Sequence, residues 1–183
     1  MIRKYLSGVS EVLAQMPIEQ IEVAAEILRT AWRDGNQIFV IGNGGSAATA
    51  SHFACDLQKG LASRWPGCAA LCVSDNAPLL TAWANDHGRE QMFSMPIVTL
   101  RTVGDVLVAI STSGNSPSVL RAVQDMQDWE YGQVIALTGD PGGELAGIVR
   151  CLVAVTSSDT QVIEDCHLAI CHAWYRYLLE KGP

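Results

Sequence analysis

His52 and Asp56 stand four residues apart in a stretch of good helix formers, so both fall on one side of a helix. An imidazole and a carboxylate at that spacing can share a metal ion or work as an acid/base pair. Near the end of the chain Glu164, Asp165, His167 and His172 form a second polar cluster inside otherwise apolar sequence. On an ideal helix His172 shares a face most closely with Leu168 and Asp165, and somewhat less closely with Glu164.

Two serine- and glycine-rich loops complete the chemistry-bearing set: Gly42-Asn43-Gly44-Gly45-Ser46 and Ser111-Thr112-Ser113-Gly114-Asn115-Ser116. Each follows a short aliphatic run and precedes a helix-forming stretch. A strand, a small-residue turn and a helix start make an anion site: free backbone N–H groups and the helix dipole face the ligand, and glycine lets it approach. The hydroxyls of Ser46, Ser111, Ser113 and Ser116 add neutral donors. A phosphorylated small molecule is the expected ligand.

These groups must be carried by regular elements. Apolar residues at helical spacing from Leu6 to Trp32, broken at Met16-Pro17-Ile18, predict two N-terminal helices over 1–34. Five strands are expected at Gln37–Ile41, Ala69–Val73, Val106–Ile110, Gln133–Leu137 and Leu152–Val155. Between them helices are expected over Ser46–Gly60, Leu79–Ala84, Glu90–Leu100, Ser116–Trp129 and Glu144–Ile148, with loops at Arg64-Trp65-Pro66-Gly67 and Gly139–Gly143 and an interruption at Asn85-Asp86-His87-Gly88. A last helix runs from Ser158, where Ser158-Asp159-Thr160-Gln161 has capping-box spacing, to Glu180. Alternating strands and helices imply an α/β fold with a doubly wound, five-stranded parallel sheet and an N-terminal helical extension. Both loops then lie at the carboxyl edge of the sheet, where such folds bind ligands. The chain reads as one domain, 1–183, with helices over 1–34 and an α/β core over 35–183. The N-terminal hairpin must bury its apolar faces on the sheet or on another subunit.

The bulk properties suit a compact soluble enzyme or binding domain. Of 183 residues 49% are hydrophobic and 17% charged, which excludes disorder, and a formal charge of -7 argues against nucleic acid or an anionic membrane as partner. With no signal peptide and no membrane-length apolar run, a cytoplasmic location is expected. The six cysteines form no C-x-x-C pair and sit mostly in apolar runs, as buried reduced thiols do.

Gly42–Ala47 also satisfies a dinucleotide-binding G-x-G-x-x-A pattern, but the candidate ribose carboxylate, Asp75, lies beyond the usual spacing of about 20 residues. A P-loop is excluded because no Gly-Lys-Ser/Thr follows the glycines.

Taken together, Gly42-Asn43-Gly44-Gly45-Ser46, the step of nine residues from Asn43 to His52, Asn85-Asp86, the Ser111–Ser116 loop and the late Glu164…His172 pair resemble the sugar isomerase (SIS) domain proteins. Among these the chain is most similar to the phosphoheptose isomerases, and the likeness covers nearly its whole length. The resemblance implies a flavodoxin-like SIS domain that interconverts sedoheptulose 7-phosphate and glycero-manno-heptose 7-phosphate through an enediolate. It further implies that Asn43, Gly44, Gly45, Asn85 and Asp86 contact the sugar, that Ser111, Thr112, Ser113 and Ser116 hold the phosphate with Ser46 contributing, and that one Zn2+ is held by His52, Asp56, Glu164 and His172. Asp56 and His172 would transfer protons, Glu164 would also touch substrate, and active sites would be shared within a homotetramer. Asp56 stands where relatives commonly carry glutamate, and Glu164 where they commonly carry glutamine. Two other readings stay open. Gly142-Gly143-Glu144-Leu145-Ala146-Gly147 resembles non-catalytic SIS scaffolds that associate with the bacterial replication initiator, and the substrate could be another phosphorylated ketose.

Overall fold

The computed structural model describes residues 1–64, 66–128 and 132–183. The expected loop position Trp65 and the expected helix end at Trp129 lie outside the described residues. Strands β1 (Ile38–Gly42), β2 (Ala70–Cys72), β3 (Val106–Ile110), β4 (Gln133–Gly139) and β5 (Cys151–Val155) form one sheet in the order β2-β1-β3-β4-β5, with every neighbouring pair parallel. All positions of β1 and β3 are buried. Strands covered on both faces read as unbroken apolar runs, which is why the sequence announced them. The winding direction reverses between β1 and β3, so the loops that leave these two strands flank the crevice where doubly wound sheets bind ligands.

Helices α2 (Ile18–Arg33), α3 (Gly45–Gly60) and α8 (Thr160–Lys181) cover one face, packed on Val40, Val108, Ile135 and Val153, and α1 (Ile2–Leu13) packs outside them against α8. The other face, with Phe39, Ile41, Leu107 and Ala136, lies under α4 (Ala77–His87), α5 (Gln91–Leu100), α6 (Pro117–Gln127) and α7 (Leu145–Ile148). The buried indoles of Trp32 and Trp174 donate to the carbonyls of Pro66 and Ile21 at 2.7 and 2.9 Å, and the second bond ties α8 to α2. No residue of α1 is fully buried. It is held through Tyr5, Val9 and Val12, and the Tyr5 hydroxyl donates to Asp165 Oδ2 at 2.6 Å. That bond to a carboxylate pushes the Tyr5 pKa up to about 12.

The structure corrects several expected boundaries. Asn85 and Asp86 do not interrupt a helix but belong to α4, which Asn76 caps through Leu79 N–H and which ends at Gly88, where φ is +92°. Helix α8 is capped by Asp159 rather than Ser158. The Asp159 carboxylate accepts from the N–H groups of Gln161 and Val162 at 3.0 and 3.4 Å, and its charge suits the positive end of the helix. Strand β4 continues to Gly139, paired with Val155, while β2 ends at Cys72 because Val73–Asp75 turns into a short 3-10 helix. No helix of the described residues is long and apolar enough to cross a membrane. All six cysteines are unpaired, and burial pushes the Cys68 thiol up to about 12, which leaves it unreactive.

Candidate active site

The two loops meet at the switch point. Gly44, with φ at +55°, turns the chain from β1 into α3, a conformation that favours glycine. Ser116 precedes α6, whose first residue is Pro117. Asn43 joins the loops: its Nδ2 donates to Ser116 Oγ at 2.8 Å and to Ser118 Oγ at 3.1 Å. Ser118 is a further candidate beside the loops that the sequence reading missed. Its signal was the Ser116-Pro117-Ser118 pattern, which puts two hydroxyls at the start of a helix. Ser46 and Ser111 are buried beside the crevice. The N-termini of α3 and α6 therefore open on one place, and both favour an anion there.

Helices α3 and α8 lie side by side in the same direction: Glu164 meets Gly45, His172 meets Asp56, and Tyr175 meets Gly60. This pairing assembles what the sequence offered as two separate clusters. His52 Nε2 lies 3.7 Å from Asp56 Oδ2, His172 Nε2 lies 3.8 Å from the same oxygen, and the two imidazole nitrogens are 3.5 Å apart. A triangle with those sides has a circumradius of about 2.1 Å, the length of a zinc–nitrogen or zinc–oxygen bond. Two imidazoles and one carboxylate with their ligand atoms this close together could hold a divalent metal ion. The side chains of His52 and His172 are 50% and 46% exposed, so a substrate can reach them.

The late polar cluster is otherwise dispersed, because successive residues of a helix point about 100° apart. Asp165 turns to Tyr5, and His167 is buried with Nε2 3.1 Å from the Thr138 carbonyl oxygen. Burial pushes the His167 pKa down to about 4, against the opposing effect of that carbonyl. Glu164 does not join the histidine–aspartate group. It lies eight residues before His172, about 12 Å along α8, and its carboxylate packs against Gly45 at the N-terminus of α3. Asn85 and Asp86 are exposed at the end of α4, where Asn85 Nδ2 donates to Asp86 Oδ1 at 2.7 Å. Among the described residues no hydrogen bond or ion pair connects them to the histidines. Asp75 accepts from Ser51 Oγ at 3.1 Å through one carboxylate oxygen.

A reversal in a parallel sheet, two anion-binding turns beside it, and histidines on the helices that leave and close the site define the SIS class of sugar-phosphate proteins. The family model described as SIS domain matches residues 4–139, and the chain belongs to that family. It is 38% identical over 154 residues to the phosphoheptose isomerase of Aquifex aeolicus, covering 84% of this chain and 80% of that protein. To the phosphoheptose isomerase of Helicobacter hepaticus it is 40% identical over 152 residues, covering 83% and 77%. The solved phosphoheptose isomerase of Neisseria gonorrhoeae superposes with a TM-score of 0.90 at 32% identity, over 97% of this chain and 96% of that one. Within the SIS domains, the chain falls in the phosphoheptose isomerase family.

Proposed function

We propose that this chain is a metal-dependent aldose–ketose isomerase that converts D-sedoheptulose 7-phosphate to D-glycero-D-manno-heptose 7-phosphate. The observation that carries the reading is the convergence of His52, Asp56 and His172 on the flank of α3, the helix that leaves the glycine loop. His52 lies seven residues, about 10 Å, along α3 from Gly45, less the backward tilt of its side chain. A ligand with its phosphate in the loops and its reacting carbons at the histidines is thus an extended sugar phosphate.

In this reading Ser111, Thr112, Ser113 and Ser116 hold the phosphate with help from Ser46, and Asn43, Gly44 and Gly45 line the sugar. Binding energy at the remote phosphate orients C1 and C2. His52, Asp56 and His172 would hold Zn2+, which would supply polarisation of the carbonyl and hydroxyl oxygens of the sugar. Asp56 meets both histidines through Oδ2, which leaves Oδ1 to act as base. It removes a proton from C1 of the ketose; the C–H electron pair becomes the C1–C2 double bond, and the carbonyl pair moves to O2, which His172 protonates. Return of a proton to C2 and loss of the O1 proton leave the aldehyde at C1, and the roles exchange in the reverse direction. Glu164, beside Gly45, touches the sugar rather than the metal, and the family resemblance assigns Asn85 and Asp86 to the sugar as well.

The exposed apolar side chains of Ile2, Leu6, Ile18 and Val23 support α1 and α2 as the contact between copies in a homotetramer with shared active sites. The whole chain, 1–183, acts as one domain in this account, and its six free cysteines suit the cytoplasm. Both histidines of the group are in place, which favours catalysis over a scaffold role. Turnover in D2O tests the proton-transfer route: solvent deuterium at C2 of the aldose is expected, whereas quantitative retention of the substrate hydrogen would contradict it.

A further inference from the structure

The turn after β4, Gly142-Gly143-Glu144-Leu145, takes no part in the reaction as derived, yet it is locked to the Ser111–Ser116 loop. Leu145 N–H donates to the Gly114 carbonyl oxygen at 3.1 Å, and Glu144 N–H donates to Asn115 Oδ1 at 2.8 Å. Within the loop Asn115 N–H donates to Ser113 Oγ at 3.2 Å. Behind it, Gly139 N–H donates to the Thr112 carbonyl oxygen at 2.9 Å, and Leu145 anchors the turn in the core.

The two backbones touch with no space for a side chain on either. At Gly114, where φ is +65°, a Cβ would fall on the Gly142 carbonyl; at Gly143, where φ is +55°, it would fall on the Ser113 carbonyl and on Asn115 Oδ1. The contact therefore needs glycine on both sides and a side-chain oxygen at position 115, here Asn115 Oδ1, to accept from the Glu144 N–H.

We propose that Asn115 is a positioning residue and that the Gly142–Leu145 turn is a brace: together they hold the Ser111–Ser116 loop in the shape that receives phosphate. This rests on the reading of that loop as the phosphate site. It also gives the segment that resembles scaffold proteins a role inside the catalytic unit.

Asn115→Ala and Gly143→Ala disturb the contact from opposite sides. Binding of inorganic phosphate by calorimetry, steady-state kinetics with sedoheptulose 7-phosphate, bound metal and melting temperature are measured for each and for the unaltered protein. About a tenfold rise in phosphate Kd and in KM is expected in both variants, with kcat within about twofold and metal content unchanged. Unchanged phosphate Kd in both variants, while the unaltered protein binds phosphate, would overturn the brace alone. Joint loss of phosphate affinity, kcat and bound metal would overturn it in favour of a general folding role. An unaltered protein that turns over substrate but does not bind phosphate competitively would overturn the phosphate-loop reading and the brace with it.

Discussion

The carboxylate of Glu164 on α8 rests against Gly45, the first residue of α3, and so places an acidic group at the positive end of the helix that leaves the glycine loop. The arrangement stabilises the helix and, if the phosphorylated sugar binds as proposed, opposes that sugar. A carboxylate in the first turn contributes about 0.3–1 kcal/mol to a helix, but the same charge repels a phosphorylated sugar arriving at the same end.

Glu164→Gln keeps the shape and removes the charge. KM for the sugar phosphate is expected to fall severalfold while the unfolding free energy drops by about 0.3–1 kcal/mol. Steady-state kinetics and urea unfolding on one preparation read both, and a higher KM would contradict the electrostatic account.

Asn43 donates to both Ser116 and Ser118, so its amide links the loops on the two sides of the switch point. Asn43→Ala is expected to cost about 1–2 kcal/mol of stability and to raise KM, since each loop then moves without the other. Denaturant unfolding alongside kinetics checks this; an unchanged KM would mean that the link does not shape the site.

His167 ties α8 to the end of β4 as a buried neutral imidazole, its pKa lowered from 6.5 to about 4 chiefly by burial. Between those values the unfolded chain binds a proton that the folded chain does not. Stability therefore falls as pH drops through that window, by up to about 3 kcal/mol at about 1.36 kcal/mol per pKa unit. His167→Gln, whose Nε2–H can still donate to the Thr138 carbonyl, is expected to flatten the slope of unfolding free energy against pH from about 6.5 to 4.5. An unchanged slope in that variant would assign the effect to other groups.

Much of this was legible in the sequence, for identifiable reasons. Buried parallel strands such as Val106–Ile110 carry continuous apolar runs, and His52 and Asp56 lie within one helical turn, so local spacing revealed them. The partnership of His172 with Asp56 depends on how α3 and α8 pack across more than a hundred residues of chain, and no local pattern encodes it. The same packing separated Glu164 from the metal-type group and sent Asp165 to Tyr5. The capping of α8 shifted by one residue because Asp159 and Ser158 are both competent caps and only the backbone geometry chooses between them. Asn115 and Gly143 acquire meaning only where two loops distant in sequence touch.

The most direct test is turnover of sedoheptulose 7-phosphate by the purified protein with chelator and after restoration with Zn2+, with metal content measured in parallel for His172→Ala. The account predicts aldose product that disappears in chelator and returns with the metal, and a His172→Ala protein that folds yet binds metal weakly and turns over at least a thousandfold more slowly, on the order of the loss expected when proton transfer and metal chemistry fail together. Absence of product under every metal condition, or full activity in His172→Ala, would contradict it.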